Sequence, residues 1–126
     1  MRVIVADDHE AIRKGVCAML GISFTALVCD EAANGLDAIR LAKANQPDLI
    51  ILDINMPVMS GFATAAEIQR LLPKVPILFF TMHTGPQFVA QARKAGVQGF
   101  VAKDRAGDTL VAAVQAVMRN ETYFPE

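Results

Sequence analysis

The sequence predicts an α/β domain, a (βα)5 arrangement in which five parallel strands alternate with five helices. Two observations carry this. Five short apolar runs, beginning at Met1, Phe24, Asp48, Ile77 and Gly99, are each followed by a stretch whose apolar residues fall at helical spacing. The third run, Leu49-Ile50-Ile51-Leu52, shows no alternation of apolar and polar residues. Bounded by Pro47 and Pro57, it reads as a strand buried on both faces, as in a parallel sheet covered by helices. Right-handed crossovers then require helices on both sides of the sheet. The patterns leave the strand order open.

Each element has its own warrant. Met1 to Ala6 is a β-branched run closed by Asp7-Asp8, and Ile12, Val16, Met19 and Leu20 then keep a helical period. Phe24 to Cys29 reads as the second strand. Asn34 is placed to cap the next helix and Asp37 to favour its positive end, and that helix runs to about Asn45. Pro47 ends it, and Asp48 to Asp53 form the third strand. From Gly61 to Leu72 the residues Ala65, Ile68 and Leu72 share one face, and Pro73 stops the helix. Pro76 cannot donate to a ladder, so it can only open the strand Ile77 to Phe80, which ends in Thr81. Pro86 suits a first helical position, with Phe88, Ala92 and Ala95 on one face before Gly96. Gly99 to Ala102 is the fifth strand, ending at Lys103. Leu110, Val114, Val117 and Met118 mark the last helix, and the period is lost from Asn120 to Glu126.

At 126 residues the chain is one domain, able to bury about two-thirds of the surface its unfolded form exposes. Twelve basic and thirteen acidic residues give a net charge of -1, and the basic ones occur singly or in the pairs Arg13-Lys14 and Arg93-Lys94. No stripe tracks a phosphate backbone, so no nucleic acid is an expected partner of this chain alone. The run Val3 to Ala6 is too brief for a signal peptide and no run approaches membrane-spanning length, so no membrane partner and a cytoplasmic location are expected. Cys17 and Cys29 lie in apolar surroundings and read as buried free thiols rather than a disulfide.

The polar residues that end the strands point to function. Asp7, Asp8, Asp53, Thr81 and Lys103 all come at strand ends, hence on one edge of a parallel sheet, where open α/β folds bind ligands. Singly, each has a duller reading: a solvated acidic loop, a surface lysine, a threonine satisfying a strand-end backbone group. Together, three carboxylates need a cation, and a set of hard oxygens suits Mg²⁺ or Mn²⁺ rather than Zn²⁺. Lys103 adds a second positive charge and Thr81 a hydroxyl, which are parts for holding a phosphoryl group. No Ser, Cys or Thr stands beside a base, so a carboxylate is the expected acceptor, Asp53 is the one presented at the strand end, and an acyl phosphate is the expected product.

With the acidic pair Asp7-Asp8, the strand Asp48 to Asp53, Met56-Pro57, Gly61, Thr81 and Phe100-Val101-Ala102-Lys103, the whole chain closely resembles the receiver domain of two-component response regulators. The opening Asp7-Asp8-His9-Glu10, the segment Ala33 to Ala38 and Lys103-Asp104 are most similar to the NarL/LuxR-type subclass, which carries a helix-turn-helix at its C-terminus. The resemblance implies a flavodoxin-like three-layer sandwich with strand order 2-1-3-4-5. It implies that a histidine kinase phosphorylates Asp53, that Mg²⁺ is held directly by Asp8, Asp53 and the Asn55 carbonyl, and that Asp7 holds the metal's waters. Thr81 and Lys103 then contact the phosphoryl oxygens, and Thr81 with Phe100 forms the switch. Residues 1–119 would be the receiver and residues 120–126 a C-terminal tail or the start of a linker to an effector domain. A homodimer is one expected product of switching. Beyond Mg²⁺-dependent self-phosphorylation and autodephosphorylation, no enzymatic activity is expected. Many receivers have proline after the lysine; here it is Asp104. Because a cis bond at a non-proline costs about 3 kcal/mol, this bond is expected to be trans.

Three rivals compete with that reading. A haloacid-dehalogenase-like phosphotransferase needs a second aspartate two residues after the first, where this chain has Asn55. In a flavodoxin, Asp7-Asp8 would repel the phosphate of FMN. A stand-alone receiver acting only through protein contacts keeps the same acidic set and stays open as an alternative. His9 and His83 read as exposed loop residues, and the stripe Phe88, Val89 and Ala92 as core.

Overall fold

In the computed structural model, which describes residues 1–125, strands and helices alternate along the whole chain. The elements are β1 (Arg2–Ala6), α1 (Glu10–Ser23), β2 (Val28–Ala32), α2 (Gly35–Asn45), β3 (Leu49–Leu52), α3 (Gly61–Leu71), β4 (Ile77–Thr81), α4 (Pro86–Ala95), β5 (Gly99–Ala102) and α5 (Ala106–Met118). A single 3₁₀ turn, Lys103–Arg105, precedes α5. Every pairing is parallel and the order is β2-β1-β3-β4-β5, as the resemblance implies.

Strand alternation divides the core in two. Ile4, Ala6, Ile50, Leu52, Ile77 and Phe79 face α2, α3 and α4, whose Ala38, Ala42, Ala65, Ile68 and Ala92 are buried against them. Val3, Val5, Leu49, Ile51, Leu78 and Phe80 face α1 and α5 through Val16, Leu20, Leu110, Val114 and Val117. Small alanines on the first side let the helices sit close to the sheet. Phe88 and Val89 pack with that same cluster, so the stripe on α4 is core, as expected. Two local signals behave as the sequence suggests: Asn34 Oδ1 accepts from Asp37 N at 2.9 Å, and Pro86 opens α4; Ser60, which the sequence reading did not single out, caps α3, its Oγ accepting from Ala63 N at 3.1 Å. Among the described residues there is no cis peptide bond, so Lys103-Asp104 is trans.

The second strand departs from expectation. The sequence reading puts it at Phe24 to Cys29, but it begins at Val28 and runs to Ala32. Phe24 instead ends α1, its N–H donating to Leu20 O, and the chain turns through Ala26 at a positive φ of 58°. Phe24 and Leu27 are apolar because they pack beneath this turn against the α1/α5 side of the core. The true strand contains Asp30 and Glu31, which an edge strand tolerates because it has one unpaired side. There Asp30 Oδ2 accepts from Arg2 Nε at 2.9 Å and Glu31 Oε1 from Arg13 Nε at 3.0 Å.

That shift also overturns the reading of the cysteines. Cys29 lies in β2 opposite Val3 and packs on the α1 side, which brings it to Cys17 of α1. The two form a disulfide with Cα atoms 5.8 Å apart, where free thiols were expected.

The segment after α5 turns back along the domain. Asn120 takes a positive φ of 65°, and Tyr123 then forms a parallel bridge with Gly99 on the outer edge of β5. Glu126, the last residue of the expected tail, lies outside the described residues.

Candidate functional site

Register puts the two central carboxylates side by side. Ala6 is opposite Leu52, so Asp7 and Asp53 leave β1 and β3 at the same level. Their amides are still tied to the sheet, Asp7 N to Ala32 O and Asp53 N to Ala6 O, both at 3.0 Å. The carboxylates are accordingly fixed and almost wholly buried, Asp7 at 2% and Asp53 at 5% exposure.

Lys103 spans them. From the end of β5 its Nζ comes to 2.9 Å from Asp53 Oδ2 and 2.6 Å from Asp7 Oδ2. Burial would pull the ammonium's pKa down, but its hydrogen bonds to Asp53 and Asp7, with their charges, outweigh that and hold it above the ordinary lysine value. Three unrelieved carboxylates are therefore not what the site contains. The lysine itself already supplies a cation between two of them.

Asp8 is exposed and meets the others through a residue that sequence reasoning passed over. His9 Nδ1 lies 3.1 Å from both Asp7 Oδ1 and Asp8 Oδ1, and the backbone N–H of His9 donates to Asp7 Oδ1 at 2.9 Å. His9 is exposed as expected, yet not idle. Its place directly after the acidic pair, where the chain turns into α1, was the available signal. Ligand atoms of Asp7, Asp8 and His9 lie within 4.8 Å of one another.

Whether these residues suit Mg²⁺ can be judged from their unused oxygens. Among the described residues Asp53 Oδ1 is buried and accepts no hydrogen bond, whereas Asp7 Oδ2 lies 2.6 Å from the Lys103 ammonium. Leaving such an oxygen unpaired costs on the order of 1–3 kcal/mol. A hard dication would remove that cost, and the carboxylates of Asp7, Asp8 and Asp53 are oxygens that suit one, although the group drawn within 4.8 Å is Asp7, Asp8 and His9 and does not include Asp53.

The rim is built from loops. Gly61 N donates to Ile54 O at 2.7 Å, and a Cβ on Gly61 would fall 2.1 Å from the Asp53 carbonyl oxygen. Only glycine lets α3 start so near Asp53. Asn55 is exposed just beyond Asp53, and its carboxamide makes no hydrogen bond among the described residues. Thr81 is wholly buried, and its Oγ accepts from His83 N at 3.0 Å. The duller role, satisfying a strand-end amide, is thus one it does perform. His83 is half-buried against Phe88, with ring centroids 5.1 Å apart. Phe100, opposite Phe79 in register, is 1% exposed, so its ring is in the inward position.

Residues 3–115 match the response regulator receiver domain. The chain belongs to that family. This receiver is 32% identical over 125 residues to the oxygen regulatory protein NreC of Staphylococcus carnosus, an alignment covering 98% of this chain and 58% of that protein. It is 33% identical over 126 residues to the transcriptional activator protein ExaE of Pseudomonas putida, covering 100% of this chain and 59% of that one. The chain therefore spans under two-thirds of the length of these relatives. Among solved structures, a LuxR-family two-component response regulator from Aurantimonas sp. SI85-9A1 superposes with a TM-score of 0.91 at 30% identity, covering 97% of this chain and 87% of that one. The receiver is thus of the NarL/LuxR type, with the flavodoxin-like sandwich its strand order shows. Among the described residues, no helix is long and apolar enough to cross a membrane.

Proposed function

We propose that Asp53 takes a phosphoryl group from the phosphohistidine of a histidine kinase and that the resulting acyl phosphate switches this receiver. One observation carries the reading: a buried carboxylate at the end of a central strand, gripped by Lys103 through Oδ2 while Oδ1 accepts no hydrogen bond. In the transfer, an Asp53 oxygen forms a bond to phosphorus, the P–N bond breaks, and its electron pair leaves on the imidazole, which takes up a proton.

The roles of the surrounding groups come from their chemistry. Asp8, Asp53 and the Asn55 carbonyl would hold Mg²⁺, with Asp7 holding its waters, and the bound ion supplies positive charge for the phosphoryl oxygens. Lys103, already buried beside Asp53, exchanges part of its carboxylate contact for a phosphoryl oxygen. The Thr81 hydroxyl accepts from His83 N but keeps its own proton to donate, so it can bond a phosphoryl oxygen without first giving up that amide. Movement of Thr81 and the position of Phe100 then bias the surface of α4 and β5, where a second receiver, forming a homodimer, or an effector domain docks. Turnover is confined to self-phosphorylation and autodephosphorylation.

The relatives named for regulation of transcription are longer than this chain. Residues 1–119 are accordingly read as the receiver and residues 120–126 as its tail or linker, in a cytoplasmic regulator whose DNA-binding part lies elsewhere. The test is intact-mass measurement after incubation with Mg²⁺ and acetyl phosphate. A single hydroxylamine-labile phosphoryl addition that disappears when Mg²⁺ is chelated is the expected result; no addition, or one that resists hydroxylamine, contradicts it.

A further inference from the structure

The outer edge of β5 is the docking strip for the chain's own segment 121–125. Tyr123 N donates to Gln98 O at 2.9 Å and Phe100 N donates to Tyr123 O at 2.8 Å, so the segment adds as a one-residue sixth strand. Two adjacent side chains straddle the sheet edge. Tyr123 packs against the α1/α5 side of the core, and Phe124 packs against the α2/α3/α4 side, its ring 4.3 Å beneath the Arg93 guanidinium of α4. A cavity of about 390 Å³ stays open beside the strip, walled by Phe100, Arg105, Thr109, Tyr123 and Phe124 among others.

Phe100 is the shared part. Its amide holds the strip, and its ring belongs to the cluster on which Phe124 rests. Phe100 and Phe124 belong to one packed cluster and line the same cavity, so a ring that leaves the core at position 100 removes part of the surface on which Phe124 rests, and a docked strip and an inward Phe100 favour each other. We infer that segment 121–125 is the output contact of this receiver, docking on β5 more firmly when Asp53 carries a phosphoryl group and so setting the shape of the β5 edge beside α4. The inference rests on the proposed phosphorylation of Asp53 and adds its physical readout. Coupling of this kind is reciprocal: whatever tightens the strip must raise the affinity of Asp53 for the phosphoryl group or its mimic.

Amide hydrogen exchange at Phe100 and Tyr123, with Mg²⁺ and with or without beryllium trifluoride, reads the strip directly. Protection of both amides should rise by about tenfold with the mimic. A thermal-shift titration of the wild-type chain and of Phe124→Ala reads the reciprocal arm. The variant should need several-fold more beryllium trifluoride for half saturation while its Mg²⁺ midpoint is unchanged. Tyr123→Phe, which keeps the backbone bonds, should behave as wild type. Binding of the mimic with unchanged or weakened protection overturns the coupling alone. Absence of mimic binding overturns the reading of Asp53 on which it rests.

Discussion

Lys103 decides how the site behaves without a metal. Because its Nζ bridges Asp7 and Asp53, and its side chain is only 7% exposed, removing it leaves two buried carboxylates facing each other. Breaking a buried pair from one side is strongly destabilising. Lys103→Met should lower stability by about 3 kcal/mol in chelated buffer and regain most of it on addition of Mg²⁺. Differential scanning calorimetry with and without the ion checks this; equal losses in both buffers would show that the lysine is not acting as the internal cation. For the same reason Asp8→Ala, which touches an exposed carboxylate beside His9, should change metal-free stability by no more than about 0.5 kcal/mol. Asp7, Asp53 and Lys103, which the structure brings together, were legible in the sequence because each comes directly after a strand. Their pairing was not, since a lysine's reach across β4 from the end of β5 depends on register and on the length of its side chain, neither of which is a local pattern.

Among the elements, the two edges differ most from a simple reading. At β2, apolar Phe24 and Leu27 mimic a strand while the acidic Asp30 and Glu31 hide one, because on this half-buried edge strand each face carries a carboxylate that an arginine neutralises. Glu31 accepts hydrogen bonds from Arg13 and Lys14 of α1 at 3.0 and 3.3 Å, which ties that helix to the edge. Partial burial raises the carboxyl's pKa, but the hydrogen bonds and charges of Arg13 and Lys14 prevail and hold it below the usual value of 4.5. A group whose folded pKa is depressed contributes stability above its unfolded pKa and loses that contribution as pH falls through the folded value. Glu31→Gln should therefore cost about 0.5 kcal/mol near neutral pH, and the gap from wild type should close as pH drops below about 4.5. Denaturant titrations across that pH range give the answer; a gap that widens in acid would reverse the sign assigned to the pair. The central elements needed no such correction: β3 is apolar on both sides and buried on both, α2 and α3 start at the side-chain caps Asn34 and Ser60, and α4 starts at Pro86.

For the molecule as a whole, the fold arises from the alternation of strands and helices, and its handedness from the chemistry of the chain. What could not be read was any contact that joins distant segments without a period of its own. The tail on β5 is one such contact and the Cys17–Cys29 disulfide another. That bridge closes a loop of sequence separation 12 between α1 and β2. Loops of that size restrict the unfolded chain enough to be worth about 3 kcal/mol. A reductant, or Cys17→Ser, should lower the unfolding midpoint correspondingly, while leaving the Mg²⁺-dependent shift intact because the bridge lies away from the sheet's carboxyl edge. A midpoint indifferent to reductant would mean that the thiols remain unpaired in solution.

Everything proposed for this receiver turns on Asp53 being the residue that carries the phosphoryl group. The most direct measurement is borohydride reduction after phosphorylation by acetyl phosphate and Mg²⁺, which converts an acyl-phosphorylated aspartate to homoserine, with peptide sequencing by mass spectrometry as the readout. Homoserine at position 53 alone, and at no position in Asp53→Asn, is the predicted result. Homoserine at Asp7 or Asp8 in the wild-type chain, or an undiminished yield from Asp53→Asn, would contradict it.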